Sequence, residues 1–424
     1  MNNWIELVSF ALMVWVGLWR LPRLSFVKNA GLTPNTIRTL LLVKVFVSLL
    51  FAGYVFQLET PNDYLFFNAE GLKEYQLLRA HPTQYLNAFS LDAHHYGWTN
   101  LFGVDKSFWA NASFSLVYKT LGLFNLITLG NFFTNTLLFS FFTFLGMVAL
   151  YRAFVSIYSE NATLVQVACF LLPSTLVYTA CVHKDGFVFV GVAFIFYLLA
   201  RLEKKSIGNP LKIYFLLIAC LLTVGLFRSF LLIILFPAGL AWWISKAINK
   251  NTITVFLSTY ILSGIVFFSS LYWGSQLNLP EAVVHRKEAF EKLPKGFTHI
   301  EMQNLQPTIS SFLHNLPQAL NHSLLRPYVW EYNSWSVRLA GLEMMAYACL
   351  IVLCVFFFKK NNTLYHRLVW FGFFVFIGMM LMIGYTIPNI GAIVRYRSIF
   401  WVLVICPILC SIDWTRIKTM FTRA

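Results

Sequence analysis

Charge is what this chain is short of. Only 12% of its 424 residues are Asp, Glu, Lys or Arg, against about 25% in a soluble domain. That shortage excludes a water-soluble globular fold for most of its length. Acids are scarcer still, with 17 Asp and Glu against 32 Lys and Arg. A net charge of +15 would suit a nucleic-acid binder, yet the basic residues form no stripe with interleaved aromatics, which excludes nucleic acid as a partner. A Gly-rich phosphate loop, a Ser nucleophile elbow and an HExxH motif are all missing. The seven cysteines (Cys169, Cys181, Cys220, Cys349, Cys354, Cys406, Cys410) show neither zinc spacing nor a disulfide framework, and read as packing residues.

Apolar side chains are abundant instead. Hydrophobic residues make up 58% of the chain, with 43 Phe and 13 Trp, a composition that suits lipid-facing helices and interfacial aromatic belts. A membrane span needs about 20 apolar residues. Eleven segments meet that rule, at residues 4–19, 39–58, 131–151, 162–182, 186–200, 211–227, 229–245, 253–273, 339–358, 368–387 and 398–413. The expected fold class is all-α, a polytopic bundle of about 11 transmembrane helices in a single integral membrane domain over residues 1–424. The first segment lacks a basic leader and a small-residue cleavage site, and reads as a membrane helix rather than a removed signal.

Alternate links at 20–38, 152–161, 201–210, 246–252, 359–367 and 414–424 are short and basic. They hold Arg20, Arg23, Lys28, Arg38, Arg152, Arg201, Lys204, Lys205, Lys246, Lys250, Lys359, Lys360, Arg367, Arg416, Lys418 and Arg423, against Glu160 and Glu203. The positive-inside bias assigns these links to the cytoplasm, the N-terminus to the outside and the C-terminus to the inside. The opposite face then receives two large loops, 59–130 and 274–338, and turns near Lys184, Arg228 and Arg395. The 113–130 part of the first loop is apolar enough to lie along the interface as an amphipathic helix.

Function has to be sought on that face. Residues 171–186 set Lys184 and Asp185 between two apolar runs, where an ionised group costs roughly 2.5–3.5 kcal/mol at mid-bilayer even on the lenient insertion scale. The pair is either a plain charged turn or part of a polar site. Asp63 follows the second span closely, and reads either as a helix cap or as a base able to take a proton from a hydroxyl. Arg326 with Glu331, and Arg338 with Glu343, cluster before and at the ninth span; they either hold a phosphate or pair with one another. Arg395 and Arg397 oppose the positive-inside bias. In an extended turn they would share a face and clamp one phosphate, and in a helix they would diverge. Arg228 adds a cation. His94, His95, His285, His299, His314 and His322 show no metal spacing and read as surface residues, so metal binding is left open and no cofactor is indicated.

The order of these elements carries a resemblance. Asn62-Asp63-Tyr64 with Phe67-Asn68-Ala69, Pro173-Ser174 with Lys184-Asp185, Arg326-Pro327-Tyr328-Val329-Trp330-Glu331 with Leu342-Glu343, and Asn389-Ile390-Gly391 with Arg395-Tyr396-Arg397 resemble uncharacterised bacterial inner-membrane proteins. These look distantly like the GT-C glycosyltransferases and the lipid-linked polysaccharide polymerases. The resemblance implies transfer of a sugar or glycan from a polyprenyl-phosphate-linked donor to a glycan or lipid acceptor at the periplasmic face. It also implies Asp63 as base; the charged residues read above, Lys184, Asp185, Arg228, Arg326, Glu331, Arg338, Glu343, Arg395 and Arg397, are the candidates to bind substrate and the carrier phosphate. The chain departs from the family in lacking an Asp-x-Asp or Glu-x-Asp pair and in having an extra span before the first large loop. A lipid-linked glycan transporter or flippase, and a structural subunit anchored by its charged turns, are the other classes open to such a sequence.

Overall fold

The computed structural model describes residues 3–58, 62–86, 108–203, 209–248, 251–274, 277–359 and 366–423. His94 and His95 lie outside these described residues, as do Lys204, Lys205, Lys250 and Lys360 of the basic links. Among the described residues every regular element is helical. The chain clusters into two compact units, one of residues 1–101, 105–153 and 169–229, the other of 102–104, 154–168 and 230–424.

The first unit carries α1 (Asn3–Arg20), α2 (Pro34–Gln57), α3 (Asp63–Ala80), α4 (Phe108–Thr128) and α5 (Phe132–Val155). After α6 (Ala162–Phe170) it continues with α7 (Pro173–Tyr178), α8 (Lys184–Glu203) and α9 (Pro210–Phe227). Local chemistry marks the starts. Thr33 accepts from the Thr36 amide ahead of Pro34, and Asn209 accepts from the Leu211 amide ahead of Pro210, each an oxygen cap followed by a residue with no amide hydrogen to satisfy. Apolar on every side, α8 is buried along nearly its whole length, as a helix without a polar face must be. Between helices in lipid, close van der Waals approach replaces the hydrophobic effect as the driving force. Gly186 provides such an approach, since a Cβ there would stand 2.5 Å from the Phe139 ring.

The second unit carries α10 (Phe230–Ile248), α11 (Thr252–Ser269), α12 (Leu279–Glu291), α13 (Ile309–Leu320), α14 (Trp335–Phe356), α15 (Arg367–Thr386), α16 (Ile390–Ser398), α17 (Val402–Ser411) and α18 (Trp414–Arg423). Its buried centre is α15, flanked by α10, α12, α13 and α17. Gly384 lets the backbone of α15 meet Ala319 of α13 directly, since a Cβ would fall 2.1 Å from the Ala319 carbonyl oxygen.

Among the described residues, eight helices are long and apolar enough to cross a bilayer, and a ninth span results if α16 and α17, bent by 63°, count as one. The sequence leads to an expected count of about eleven. Segment 4–19 does form α1, but Asn3, Glu6 and Arg20 dilute its eighteen residues and it is not among the eight. Segment 162–182 breaks into α6 and α7 because Pro173 cannot donate a helical hydrogen bond and instead opens a new helix. The broken stretch still returns along α5: Phe170 packs on Tyr151 and Phe144, while Ala180 accepts from Ser140 and Thr179 from Thr143. His183 therefore reaches the end of α5 at which that helix begins.

Candidate functional site

The first unit brings Asp63, His183, Lys184, Asp185 and Arg228 together. The Asn62 side chain caps α3, accepting from the Leu65 amide at 3.0 Å, so Asp63 is released from capping and stands in the first turn. There a negative charge is favoured by the helix dipole. Lys184 and Asp185 do not form a turn; they open α8, with Asp185 in its first turn. His183 precedes them, and its Nδ1 accepts from the Asp185 amide at 3.2 Å. The α8–α9 hairpin supplies Arg228, because two antiparallel helices of 20 and 18 residues are nearly equal in length at about 1.5 Å per residue.

The contacts form a chain. Asp63 Oδ2 lies 3.6 Å from His183 Nε2, and His183 Nδ1 lies 2.9 Å from Asp185 Oδ2. Arg228 donates through a terminal nitrogen to Asp185 Oδ1 at 2.7 Å. His183 and Asp185 are buried, with side chains 4% and 3% exposed, whereas the Asp63 side chain is 57% exposed. One end of the chain thus meets solvent and the other is enclosed. Tyr64 and Phe67 each hold a ring 5.3 Å from the His183 ring. Lys184 donates to Ser113 Oγ at 2.8 Å and lies over the Phe114 ring. Nearby, the Tyr118 hydroxyl is pushed up to about 12 by burial and then by the carboxylates of Glu70 and Asp63, so it stays protonated beside them at neutral pH.

A second polar set supports this one from within the helices. Lys44 of α2, fully buried, donates to the Leu176 carbonyl at 3.0 Å and to Thr179 Oγ1 at 2.6 Å. Ser140 Oγ reaches the Ala180 carbonyl at 3.2 Å and Thr143 Oγ1 the Thr179 carbonyl at 2.8 Å. These donors satisfy carbonyls that the break after α7 frees, as backbone at membrane depth requires, and they fix the stretch that leads into His183.

The other sequence-derived residues lie in the second unit. Arg326 Nε donates to Glu331 Oε1 at 2.7 Å, and the Tyr328 amide donates to Glu331 Oε2 at 3.1 Å, which is the pairing alternative of the sequence. Half-buried Arg338 donates to Asn333 Oδ1 at 2.9 Å. Glu343 accepts from the Tyr347 hydroxyl one helical turn away at 2.5 Å. Arg395 and Arg397 sit on helix α16, so the extended geometry needed for a shared clamp is not the one formed. Arg397 is wholly buried and donates to the Ser323 carbonyl at 2.6 Å, while the Arg395 guanidinium lies 5.2 Å from the Tyr396 ring. His322, expected at the surface, is buried in the turn after α13. Burial first, and Arg326 second, push its imidazole down to about 4, with Glu331 opposing.

Sequence reasoning does not single out His183 or Lys44. Signals for both were present: His183 adjoins the charged doublet between two apolar runs, and Lys44 is an ionisable residue inside segment 39–58. Chemically, the cluster offers an accessible carboxylate backed by an imidazole whose far side is held by a buried carboxylate and a guanidinium. Such an arrangement can accept a proton at Asp63 and holds the Arg228 guanidinium at its far end, against Asp185. Among the described residues no three His, Cys, Asp or Glu side chains gather where they could hold a metal ion. No protein-family model, no curated protein and no solved structure matches the chain.

Proposed function

We propose that the chain is a membrane glycosyltransferase that uses a polyprenyl-phosphate-linked sugar or glycan as donor and works on surface-polysaccharide assembly at the periplasmic face of a bacterial inner membrane. The observation that carries this reading is the half-exposed Asp63 carboxylate backed by His183, Asp185 and Arg228. An acceptor hydroxyl oxygen attacks the anomeric carbon and its proton passes to Asp63. The bond from that carbon to the phosphate oxygen breaks, and the lipid phosphate leaves with the electron pair. Lys184 and Arg228 stabilise the developing negative charge, the electrostatic contribution that usually dominates such transfers. His183 and Asp185 position Asp63. Arg326, Glu331, Arg338, Glu343, Arg395 and Arg397 receive no step in this mechanism. A polymerase joining lipid-linked repeat units would use the same groups. The basic links support a cytoplasmic C-terminus, by the positive-inside bias.

The test is Asp63→Asn in cells lacking the native copy. Loss of a general base lowers transfer by about 10²–10⁴-fold, read as periplasmic glycan assembled per protein in the membrane. Unchanged assembly removes Asp63 as the base.

One observation favours a second reading, transport of a lipid-linked glycan. Lys44 is an ammonium group buried within a span beside the broken helix α7, and transporters build sites from interrupted helices and ionisable residues at that depth. Movement of a lipid-linked sugar across liposomes with its covalent structure intact would support transport over transfer.

A further inference from the structure

The end of the second unit carries a surface of its own. Candidate span α14 finishes at Phe356, and α17, the second half of the bent pair, finishes at Ser411. Their exits are fastened at one level. The Lys359 amide donates to the Ser411 carbonyl and the Asp413 amide to the Phe357 carbonyl, both at 2.8 Å, and Phe358 and Ile412 form an antiparallel bridge. Helix α18 starts directly after this fastening, so it begins where two helices leave the apolar layer.

The sequence of α18 is amphipathic. Trp414, Ile417 and Met420 recur every third residue and so follow one side of the helix. Met420 is 56% exposed and Trp414 38% exposed. Arg416 and Lys418, both exposed, lie off that stripe, and the Arg416 guanidinium is 5.8 Å from the Phe357 ring. Lys359 adds a cation at the fastening. The nearby acid, Asp413, is engaged by the first turn of the helix: its Oδ1 accepts from Thr415 Oγ1 at 2.5 Å and from the Arg416 amide at 3.0 Å. Hydrogen bonding, Thr415 first, holds that carboxyl below its usual range.

We infer that α18 lies in the headgroup layer of the bilayer this chain crosses and binds anionic phospholipid, its apolar stripe entering the acyl boundary and Arg416, Lys418 and Lys359 meeting lipid phosphates. Two features select lipid over a protein partner. The stripe starts at the level where two spans exit, and a narrow apolar face with basic residues beside it is the composition that interfacial helices use. Anionic lipid supplies both the apolar phase and the opposite charge. The inference is independent of any catalytic activity.

The full chain, reconstituted in nanodiscs of phosphatidylcholine alone or with added phosphatidylglycerol, decides it by amide hydrogen exchange followed by mass spectrometry. Exchange across 412–423 is expected to slow roughly fivefold for each basic side chain engaged when phosphatidylglycerol is present. The gain should vanish in the Arg416→Glu/Lys418→Glu double variant and fade at high salt. Equal exchange in the two lipids overturns the inference. So does protection that follows protein concentration instead of lipid charge, which would show a second copy as the occupant. Helix α15 serves as the control for folding. If the double variant loses protection there, the wild-type comparison between lipids and its salt dependence still decides.

Discussion

In the first unit, Asp63, the His183–Asp185 segment and Arg228 come from three separate places in the chain and meet in one run of contacts. In the second unit, Arg326 pairs with Glu331 five residues away and Glu343 accepts from Tyr347 four residues away, while Arg397 donates to the Ser323 carbonyl 74 residues away. Local pairs of the second kind brace a turn or a helix, and a short peptide segment could make them. The first kind exists only when α3, α8 and α9 are assembled. It also leaves one carboxylate exposed, which a purely bracing network has no reason to do. The comparison explains why charges that look equivalent in the sequence divide into a candidate reaction centre and structural fastenings.

The largest expected effect would break the long-range network. Asp185→Ala leaves His183 and Arg228 buried without their shared carboxylate, and loss of one partner of a buried pair costs about 3–5 kcal/mol. Thermal unfolding in detergent should show a much lower midpoint, and Glu331→Ala in the local pair should lower it less. Equal losses would erase the distinction between the units. Next comes Lys44→Met, which keeps the length of the side chain but strips the Leu176 carbonyl and Thr179 hydroxyl of their donor; an unsatisfied buried group costs about 1–3 kcal/mol. The same unfolding assay reads it, and exchange of the amides at 179–184 should rise with it.

A smaller effect belongs to pH. His322 falls from an ordinary value of 6.5 to about 4 in the fold. The unfolded chain therefore binds a proton in that window while the folded one does not, and stability is lost as pH falls from 6.5 towards 4. Above 6.5 both states hold the imidazole neutral, the stability is fully present and the slope from this group vanishes. His322→Gln should flatten that part of the melting-point profile, and an unchanged slope would refute it. Smallest of all is the structural effect of Asp63→Asn. With a side chain 57% exposed and 3.6 Å from His183, its pairing is worth about 0–1 kcal/mol. The melting point should barely move in a variant whose transfer activity is expected to collapse. That contrast separates a role in chemistry from a role in folding.

Much of the fold is legible in residue order because apolar length alone decides whether a helix can cross a bilayer. Segment 39–58 becomes α2 and 368–387 becomes α15, within a few residues. The sequence-based reading fails at Pro173, where a run of apolar residues conceals two short helices, and at Arg395 and Arg397, where an expected turn is helical and sends the two side chains apart. Lys184, Asp185, Asp63 and Arg228 stand out in sequence because each is an isolated charge beside an apolar run. His183 stands among apolar neighbours too, but an imidazole is common enough in such settings that only its two carboxylate contacts distinguish it.

Composition and spacing thus pointed, without any structure, to a polytopic helical membrane chain with most of its charges outside the apolar runs. The cost of placing an ion in hydrocarbon leaves few alternatives. Which of those charges act together was decided only by tertiary structure. A carboxylate has no preferred partner along the chain, and the meeting of Asp63, His183, Asp185 and Arg228 depends on helix lengths, on the break at Pro173 and on a glycine, Gly186, that lets α8 press against Phe139.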